Sequence, residues 1–304
     1  MRNKKYCFVF MGNLYLCPYI DKYLEHLDYE FDIVYWNRDD IVEDIGARKA
    51  YAFNYKLDSS DSKWKKLKGY WSFANYSSRI LEENNYDGVI VLQTIAGLLL
   101  QRILRKKYYK KYVLDIRDYT LENNKIFYNI ENMVVKASKF TVISSEGYKR
   151  FLPPYTYIIT HNYRPISKEK LNEILNQHEK KDKIVIAFIG YINYIEEQKK
   201  LLLKFKNHEK FELHFIGKES DKLITFCREN NIRNVKIVGK FPPEEILEYY
   251  EETDIINNLY GNNTPTLDYA LSNKLYFAAQ LKIPILVCKN TFMEKISREY
   301  CFGY

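Results

Sequence analysis

Residues 257–287 read NNLYGNNTPTLDYALSNKLYFAAQLKIPILV, and the order of features in this stretch decides the fold. An apolar strand, Asp254–Asn257, runs into a polar loop rich in Gly, Asn and Pro. A helix then opens at Ser272 or Asn273, both good N-caps, and Ile283–Val287 is the next strand. Strand, loop, helix, strand is the unit of a parallel sheet, because two parallel strands cannot be joined without a crossover.

The same unit recurs on both sides. In the second half, Lys183–Ile189, Glu212–Ile216 and Val235–Val238 are further strands. In the first half the strands are Tyr6–Met11, Phe31–Trp36, Gly88–Leu92, Tyr112–Ile116 and Phe140–Ile143, with helical periodicity over Ser62–Asn85 and Leu98–Tyr109. Near-continuous apolar strands alternating with helices predict parallel sheets covered on both faces. The pattern breaks at Leu152–Lys183, where Pro153, Pro154 and Pro165 interrupt it and the charged stretch Ser167–Lys183 has little to bury. The expected organisation is α/β with two doubly wound Rossmann-like domains: 1–160, a linker over 161–182, and 183–304. Two such domains leave a cleft between the carboxyl ends of their strands, the usual ligand site of these sheets. Only 17 residues follow the last strand, so the second sheet is small or a carboxyl-terminal piece lies beyond.

A chain of 304 residues is long enough for two domains. It carries 47 Lys and Arg against 39 Asp and Glu, a net of +8, and its 46% hydrophobic content excludes a disordered chain. The longest apolar run, Val89–Leu100, contains Gln93 and Thr94 and is too short to cross a bilayer. The basic N-terminus MRNKKYCFVFMG has an apolar run of about six residues, too short for a signal peptide, and reads as a first strand. The five cysteines (Cys7, Cys17, Cys227, Cys288, Cys301) form no C-x-x-C pair. That argues against a disulfide framework or zinc ribbon and for a reducing cytosol.

Lys274 falls in the first turn of the helix that opens at Ser272 or Asn273. A cation there opposes the helix dipole, which makes sense where an anion binds, since free N–H groups and an ammonium together hold a phosphate. The competing reading is a surface lysine reaching back to a carboxylate such as Asp268. Gly190 and Gly217 each end a strand and suit a tight turn or close approach of a ligand. Gly12 and Asn13 follow the first strand and face the expected cleft. Asp115-Ile-Arg-Asp118 ends a strand, where carboxylates point into a cleft. Asp118 is therefore a candidate to contact substrate, with Arg117 beside it; the competing reading is that Asp118 caps the next turn and Arg117 pairs with it. The histidines (His26, His161, His178, His208, His214) are dispersed, with no metal-binding spacing, and His214 inside a strand reads as a packed residue.

The run S-N-K-L-Y…I-P-I-L resembles the donor-binding helix of nucleotide-sugar glycosyltransferases of the GT-B fold, family four and its capsule and exopolysaccharide relatives in particular. Ile186–Asn193 (IAFIGYIN) and Phe215–Ser220 (FIGKES) resemble the two glycine turns of that family's donor domain. Val238–Tyr249 with Asp254–Tyr260 resembles the stretch that follows them, and Leu114–Asp118 and Thr141–Tyr148 resemble turns on the acceptor side. The paired-glutamate signature of the family falls near Tyr269 and Phe277, neither acidic, and Tyr191 stands where the family often has Arg.

The resemblance implies a metal-independent, retaining glycosyltransferase of bacterial surface-polysaccharide assembly. Its donor, a UDP- or GDP-linked sugar, would be held by Gly190, Lys218, Tyr260, Asn273 and Lys274. Asp118 and Arg117 would do the chemistry, with Gly12 and Asn13 on the acceptor side. The acceptor would be a saccharide or polyprenyl-diphosphate-linked saccharide, with no cofactor beyond the donor. Two other readings stand beside it: a degenerate, non-catalytic GT-B protein that binds a partner glycosyltransferase or a membrane, and a nucleotide-sugar 2-epimerase of the same architecture.

Charge is uneven. Up to Arg150 there are 25 basic and 19 acidic residues, so the first half carries six of the eight net charges. They concentrate in 63–68 (KWKKLK) and 102–112 (RILRKKYYKKY), where cations alternate with Trp and Tyr. Such segments suit the anionic inner face of a cell membrane, or form a solvated lysine-rich face; no nucleic-acid-binding module accompanies them. The expected location is cytoplasmic, peripheral on that inner face.

Overall fold

The protein is described by a computed structural model over residues 4–58, 60–176 and 182–304. His178 and residues 177–181 of the expected linker lie outside the described residues. The chain forms two compact units that divide between His161 and Asn162.

In the first unit, β1 (Tyr6–Phe10), β2 (Phe31–Asn37), β3 (Lys49–Asn54), β4 (Gly88–Leu92), β5 (Tyr112–Ile116), β6 (Phe140–Ile143) and β7 (Ile158–Ile159) form one sheet in the order β3-β2-β1-β4-β5-β6-β7. Every neighbouring pair is parallel. The helices are α1 (Asp21–Leu24), α2 (Lys63–Glu83), α3 (Thr94–Leu99), α4 (Gln101–Lys106) and α5 (Lys125–Ala137). Ser62 caps α2 by accepting from Lys65 N–H, and Asn124 caps α5 through Ile126 and Phe127 N–H. The helix expected over Leu98–Tyr109 starts four residues earlier and passes through Leu100 as two short pieces.

Strands β3 and β7 are additional to the expected ones. Both are sheet edges. The former is half-exposed with few β-branched residues, and the latter is only two residues long, so neither carries an apolar run.

The second unit contains β8 (Ile184–Ile189), β9 (Phe211–Ile216), β10 (Val235–Val238), β11 (Ile255–Asn258) and β12 (Ile285–Val287), all parallel, in the order β10-β9-β8-β11-β12. Its helices are α6 (Lys168–Asn176), α7 (Ile195–Lys204), α8 (Ile224–Glu229), α9 (Ile246–Glu251), α10 (Pro265–Tyr269), α11 (Asn273–Leu281) and α12 (Phe292–Glu299). Along β8, Val185, Ala187 and Ile189 enter one apolar cluster while Ile186 and Phe188 enter another. That two-residue alternation between two cores is what a sheet covered on both faces requires.

One detail departs from the reading of the sequence, and one adds to it. The stretch expected to have little to bury forms α6, whose Ile174 is buried against the core of the second unit with Leu171 packed beside it. The last residues close the outer edge of β12. Ile285 N–H donates to Phe302 O at 2.9 Å, and Val287 N–H to Tyr304 O at 3.0 Å.

Candidate functional site

In each sheet the strand order reverses at one point, between β1 and β4 and between β8 and β11. Loops leaving the carboxyl ends of such strands diverge and open a crevice. Both crevices are populated.

In the second unit, Gly190 ends β8 at φ +123° and Gly217 ends β9 at φ +133°, conformations that glycine alone adopts without strain. The two turns touch. A Cβ on Gly217 would lie 1.8 Å from the Gly190 carbonyl oxygen, whereas one on Gly190 would face the Lys274 ammonium at 3.8 Å. Gly217 is thus dictated by turn packing, and Gly190 opens toward a cation.

Lys274 comes from the first turn of α11, where Ser272 caps the helix by accepting from Lys274 N–H at 3.2 Å. The cap sets the turn so that the lysine side chain points inward, and the residue is only 5% exposed. Its Nζ donates to the Tyr260 hydroxyl at 2.7 Å and stands 3.9 Å from the centre of the Phe188 ring and 5.0 Å from that of Tyr260. Asp268, the carboxylate offered by the competing reading, accepts instead from Asn263 N–H at 2.8 Å. Among the described residues no carboxylate pairs with Lys274. A buried ammonium is costly unless compensated, and two aromatic faces with one hydroxyl compensate it only in part.

The structure therefore brings Gly190, Tyr260 and Lys274 together. Asn273, the residue before Lys274, is exposed at the helix start. Lys218 is also exposed, 5.4 Å from the Tyr191 ring, and its carbonyl accepts from Ile192 N–H at 2.9 Å, which ties the two glycine turns to each other. Two lysines of α7 are paired on their own helix: Lys199 with Glu196 at 2.8 Å and Lys200 with Glu197 at 2.7 Å. Beside the cluster lies a hollow of ≈ 780 Å³, lined by Tyr194, Glu197, Lys200, Tyr260, Gly261 and Asn262 among others.

In the first unit a pocket of ≈ 420 Å³ sits at the β1/β4 reversal, lined by Gly12, Tyr19, Arg38, Tyr70, Gln93 and Asp118 among others, with Arg117 also in its wall. Arg117 is buried. Its Nη2 donates to Asp115 Oδ2 at 2.6 Å, its Nε stands 2.5 Å from Asp115 Oδ1, and Nη1 donates to Thr160 O at 2.9 Å. Asp115 is fully buried and also accepts from the Tyr23 hydroxyl at 2.6 Å; desolvation pushes its carboxyl above the ordinary value, opposed by Arg117. The Tyr148 hydroxyl donates to the Arg117 carbonyl at 2.5 Å. Arg117 is thereby fixed from both ends, and the next residue, Asp118, lies partly exposed in the pocket wall, its carboxyl crowded by the surrounding protein. Desolvation raises the Asp118 carboxyl above its ordinary value, with the Arg117 guanidinium working against it. Asn13 is buried and holds the neighbouring loop: its amide donates to Asn37 and Glu43 at 3.0 Å, and its carbonyl accepts from Arg38 N–H at 3.0 Å.

Two further residues line this pocket and were not singled out as site residues in the sequence. Arg38 stacks 4.4 Å from the Trp36 ring and donates to Met11 O at 3.1 Å; its signal was a cation directly after β2. Gln93 sits at φ +146°, ψ +145°, a region populated essentially by glycine and costly for other residues. Its signal was the polar pair Gln93-Thr94 that interrupts the longest apolar run. Asp115, the other carboxylate of the D-I-R-D run expected to point into the cleft, is instead buried inside the strand and held by Arg117 and Tyr23. Among the described residues, no group of three or more His, Cys, Asp or Glu side chains is placed to hold a metal ion.

No family model matches the chain, and no curated protein matches it in sequence. Solved structures do match. Sucrose-phosphate synthase from Thermosynechococcus elongatus superposes with a TM-score of 0.68 at 9% identity, over 96% of this chain and 83% of that one. The lipopolysaccharide outer core galactosyltransferase WaaB, in its apo form, gives 0.61 at 17% identity, over 93% and 80%. The fold is GT-B. The UDP-GlcNAc 2-epimerase of Neisseria meningitidis, bound to UDP-GlcNAc, gives 0.55 at 13% identity, over 98% and 86%. Sugar transferases and an epimerase share this backbone, so chemistry has to be argued from side chains.

Proposed function

We propose that this GT-B chain is a glycosyltransferase that moves a sugar from a nucleotide-sugar donor to a saccharide or lipid-linked saccharide acceptor. The observation that carries the reading is Lys274: a buried ammonium at the start of a helix, beside an open glycine turn, with no carboxylate to neutralise it among the described residues. A nucleotide diphosphate supplies the missing charge. The free N–H groups at the start of α11 and the Lys274 ammonium would stabilise the diphosphate as it leaves, which is where charge develops during transfer. Gly190 would let the phosphates approach the backbone, Tyr260 orients the lysine, and Asn273 and Lys218, both exposed, would reach the donor from the solvent side.

On the acceptor side, Asp118 would take a hydrogen bond or proton from an attacking hydroxyl, and the desolvation that raises its affinity for a proton supports that role. Arg117 acts through it, as a positioning residue clamped by Asp115. Gly12 and Asn13 shape the floor. The retaining outcome, the family four-like capsular type, the bacterial surface-polysaccharide role, the UDP or GDP base and the metal-independent course belong to the same proposal. They rest on the sequence resemblance.

Thermal unfolding with UDP, GDP, CMP and ADP tests it. A nucleotide at about a hundred times its dissociation constant adds roughly 2.7 kcal/mol to stability. One nucleotide of the panel is expected to raise Tm, and Lys274→Met, which keeps the stem and removes the charge, to abolish the shift. Absence of any shift in the wild-type chain would sink the transferase reading and leave the non-catalytic one. Conversion of the donor sugar with no acceptor present would replace it with the epimerase reading.

A further inference from the structure

Helix α2 has two apolar faces. One carries Phe73, Ala74, Ile80 and Leu81 into the core of the first unit. Trp64, Leu67 and Trp71 form a second stripe beside it at helical spacing, and they are 81%, 58% and 67% exposed. Two exposed tryptophans and a leucine in one stripe are unusual on a protein surface and mark an interaction site.

The charge around the stripe selects the partner. Between Asp61 and Glu82 the helix carries Lys63, Lys65, Lys66, Lys68 and Arg79 and no carboxylate. Lys65 is paired with Asp61 at 2.7 Å, while Lys63 and Lys68 are exposed and flank Trp64 and Leu67. Tryptophan favours the headgroup level of a bilayer, and lysines beside it are attracted to anionic lipid.

The other basic-aromatic segment, 102–112, is built differently. Tyr108 and Tyr112 are buried, their hydroxyls donating to Leu81 O and Val134 O. Lys107 Nζ donates to the carbonyls of Leu81, Glu82 and Asn84 at 2.7–3.0 Å, and Lys110 Nζ to those of Lys136 and Ser138. Those lysines close the carboxyl ends of α2 and α5.

We infer that the Trp64–Leu67–Trp71 face of α2 docks the protein on an anionic membrane surface, and that this docking sets the first-unit pocket beside the lipid. Tyr70, next to Trp71 on the same helix, lines that pocket and packs on Trp36, over which Arg38 stacks. A lipid-linked acceptor bound there would keep its lipid in the bilayer that α2 touches. This last step rests on the transferase reading; the docking does not.

The test is co-sedimentation of the whole protein with vesicles of phosphatidylcholine containing 30 mol% phosphatidylglycerol, against vesicles of phosphatidylcholine alone. Binding to the anionic vesicles is expected, with a blue shift of tryptophan emission, because Trp36 is already buried and only Trp64 and Trp71 can move into lipid. Trp64→Ala with Trp71→Ala, and separately Lys63→Gln with Lys68→Gln, are each expected to weaken it on the order of tenfold or more. Salt should weaken the remaining binding of the tryptophan variant, and not that of the lysine variant to the same degree. All four positions are exposed, so folding is preserved; the nucleotide-induced Tm shift of each variant checks this and keeps the two proposals separable. Equal binding by wild type and tryptophan variant overturns the inference, as does no binding to anionic vesicles. So does a wild-type dimer that the tryptophan variant loses, which would assign the face to a second copy of the chain.

Discussion

Glu131 shows what an uncompensated buried charge does when no ligand is at stake. It lies on α5, fully buried, and neither carboxyl oxygen finds a hydrogen-bond partner among the described residues. Desolvation, with a smaller contribution from Glu122, pushes its pKa up to about 8. An unfolded glutamate releases its proton near 4.3, so between these values the folded chain binds the extra proton and stability falls as pH rises. The loss is complete above about pH 8 and amounts to a few kcal/mol at about 1.4 kcal/mol per tenfold. Glu131→Gln should therefore exceed wild type in denaturant unfolding by only about 1 kcal/mol at pH 5 and by several times that at pH 8.5. A constant difference across that range would mean that the carboxyl is ionised in the fold throughout. The contrast with Lys274 shows how little burial can be read from composition. Lys274 was legible because its place at a helix start opposes the dipole, whereas nothing in E-N-M-V-V-K marks Glu131 as buried. Gln93 was half legible: the sequence showed a polar break in an apolar run, and only the backbone revealed that the break is strained.

Elements were legible where their burial is uniform. Strands β1, β4, β5, β8 and β9 are apolar along most of their length because helices cover both faces of each sheet, and their bounds follow from that. The two edge strands of the first sheet escape the same logic, since half of β3 faces solvent and β7 offers only Ile158 and Ile159. Basic residues were the least legible class. KKYYKK reads as one surface patch, yet Lys107 reaches across to three carbonyls at the end of α2, where its charge also complements the helix dipole. Charge-assisted hydrogen bonds of this kind contribute about 1.5–3 kcal/mol. Lys107→Met is expected to cost an amount in that range in urea unfolding, while Lys106→Met, one residue earlier and exposed, changes stability by less than about 0.5 kcal/mol. Equal effects at the two positions would return Lys107 to the solvated surface.

At the scale of the whole molecule, the repeated strand–helix unit was enough to give two parallel sheets, because that pattern has few compatible architectures. It could not assign chemistry to either, since transferases and epimerases share the fold. The two units present different groups at their strand-order reversals: a buried ammonium at Lys274 with no paired carboxylate among the described residues in the second unit, and Asp118 with Arg38 beside a fixed Arg117–Asp115 pair in the first. Such a division predicts where a nucleotide acts. A ligand suppresses the local openings of the segments it touches, so the nucleotide that raises Tm should slow amide exchange in peptides covering 186–194, 257–264 and 272–281. Peptides covering 88–100 and 112–120, which frame the first-unit pocket, should exchange as before until an acceptor is added. Lys274→Met should remove the first effect and leave the exchange of the first unit untouched. Protection of 112–120 by nucleotide alone, with 272–281 unchanged, would move the donor to the first unit and reverse the roles of Lys274 and Asp118.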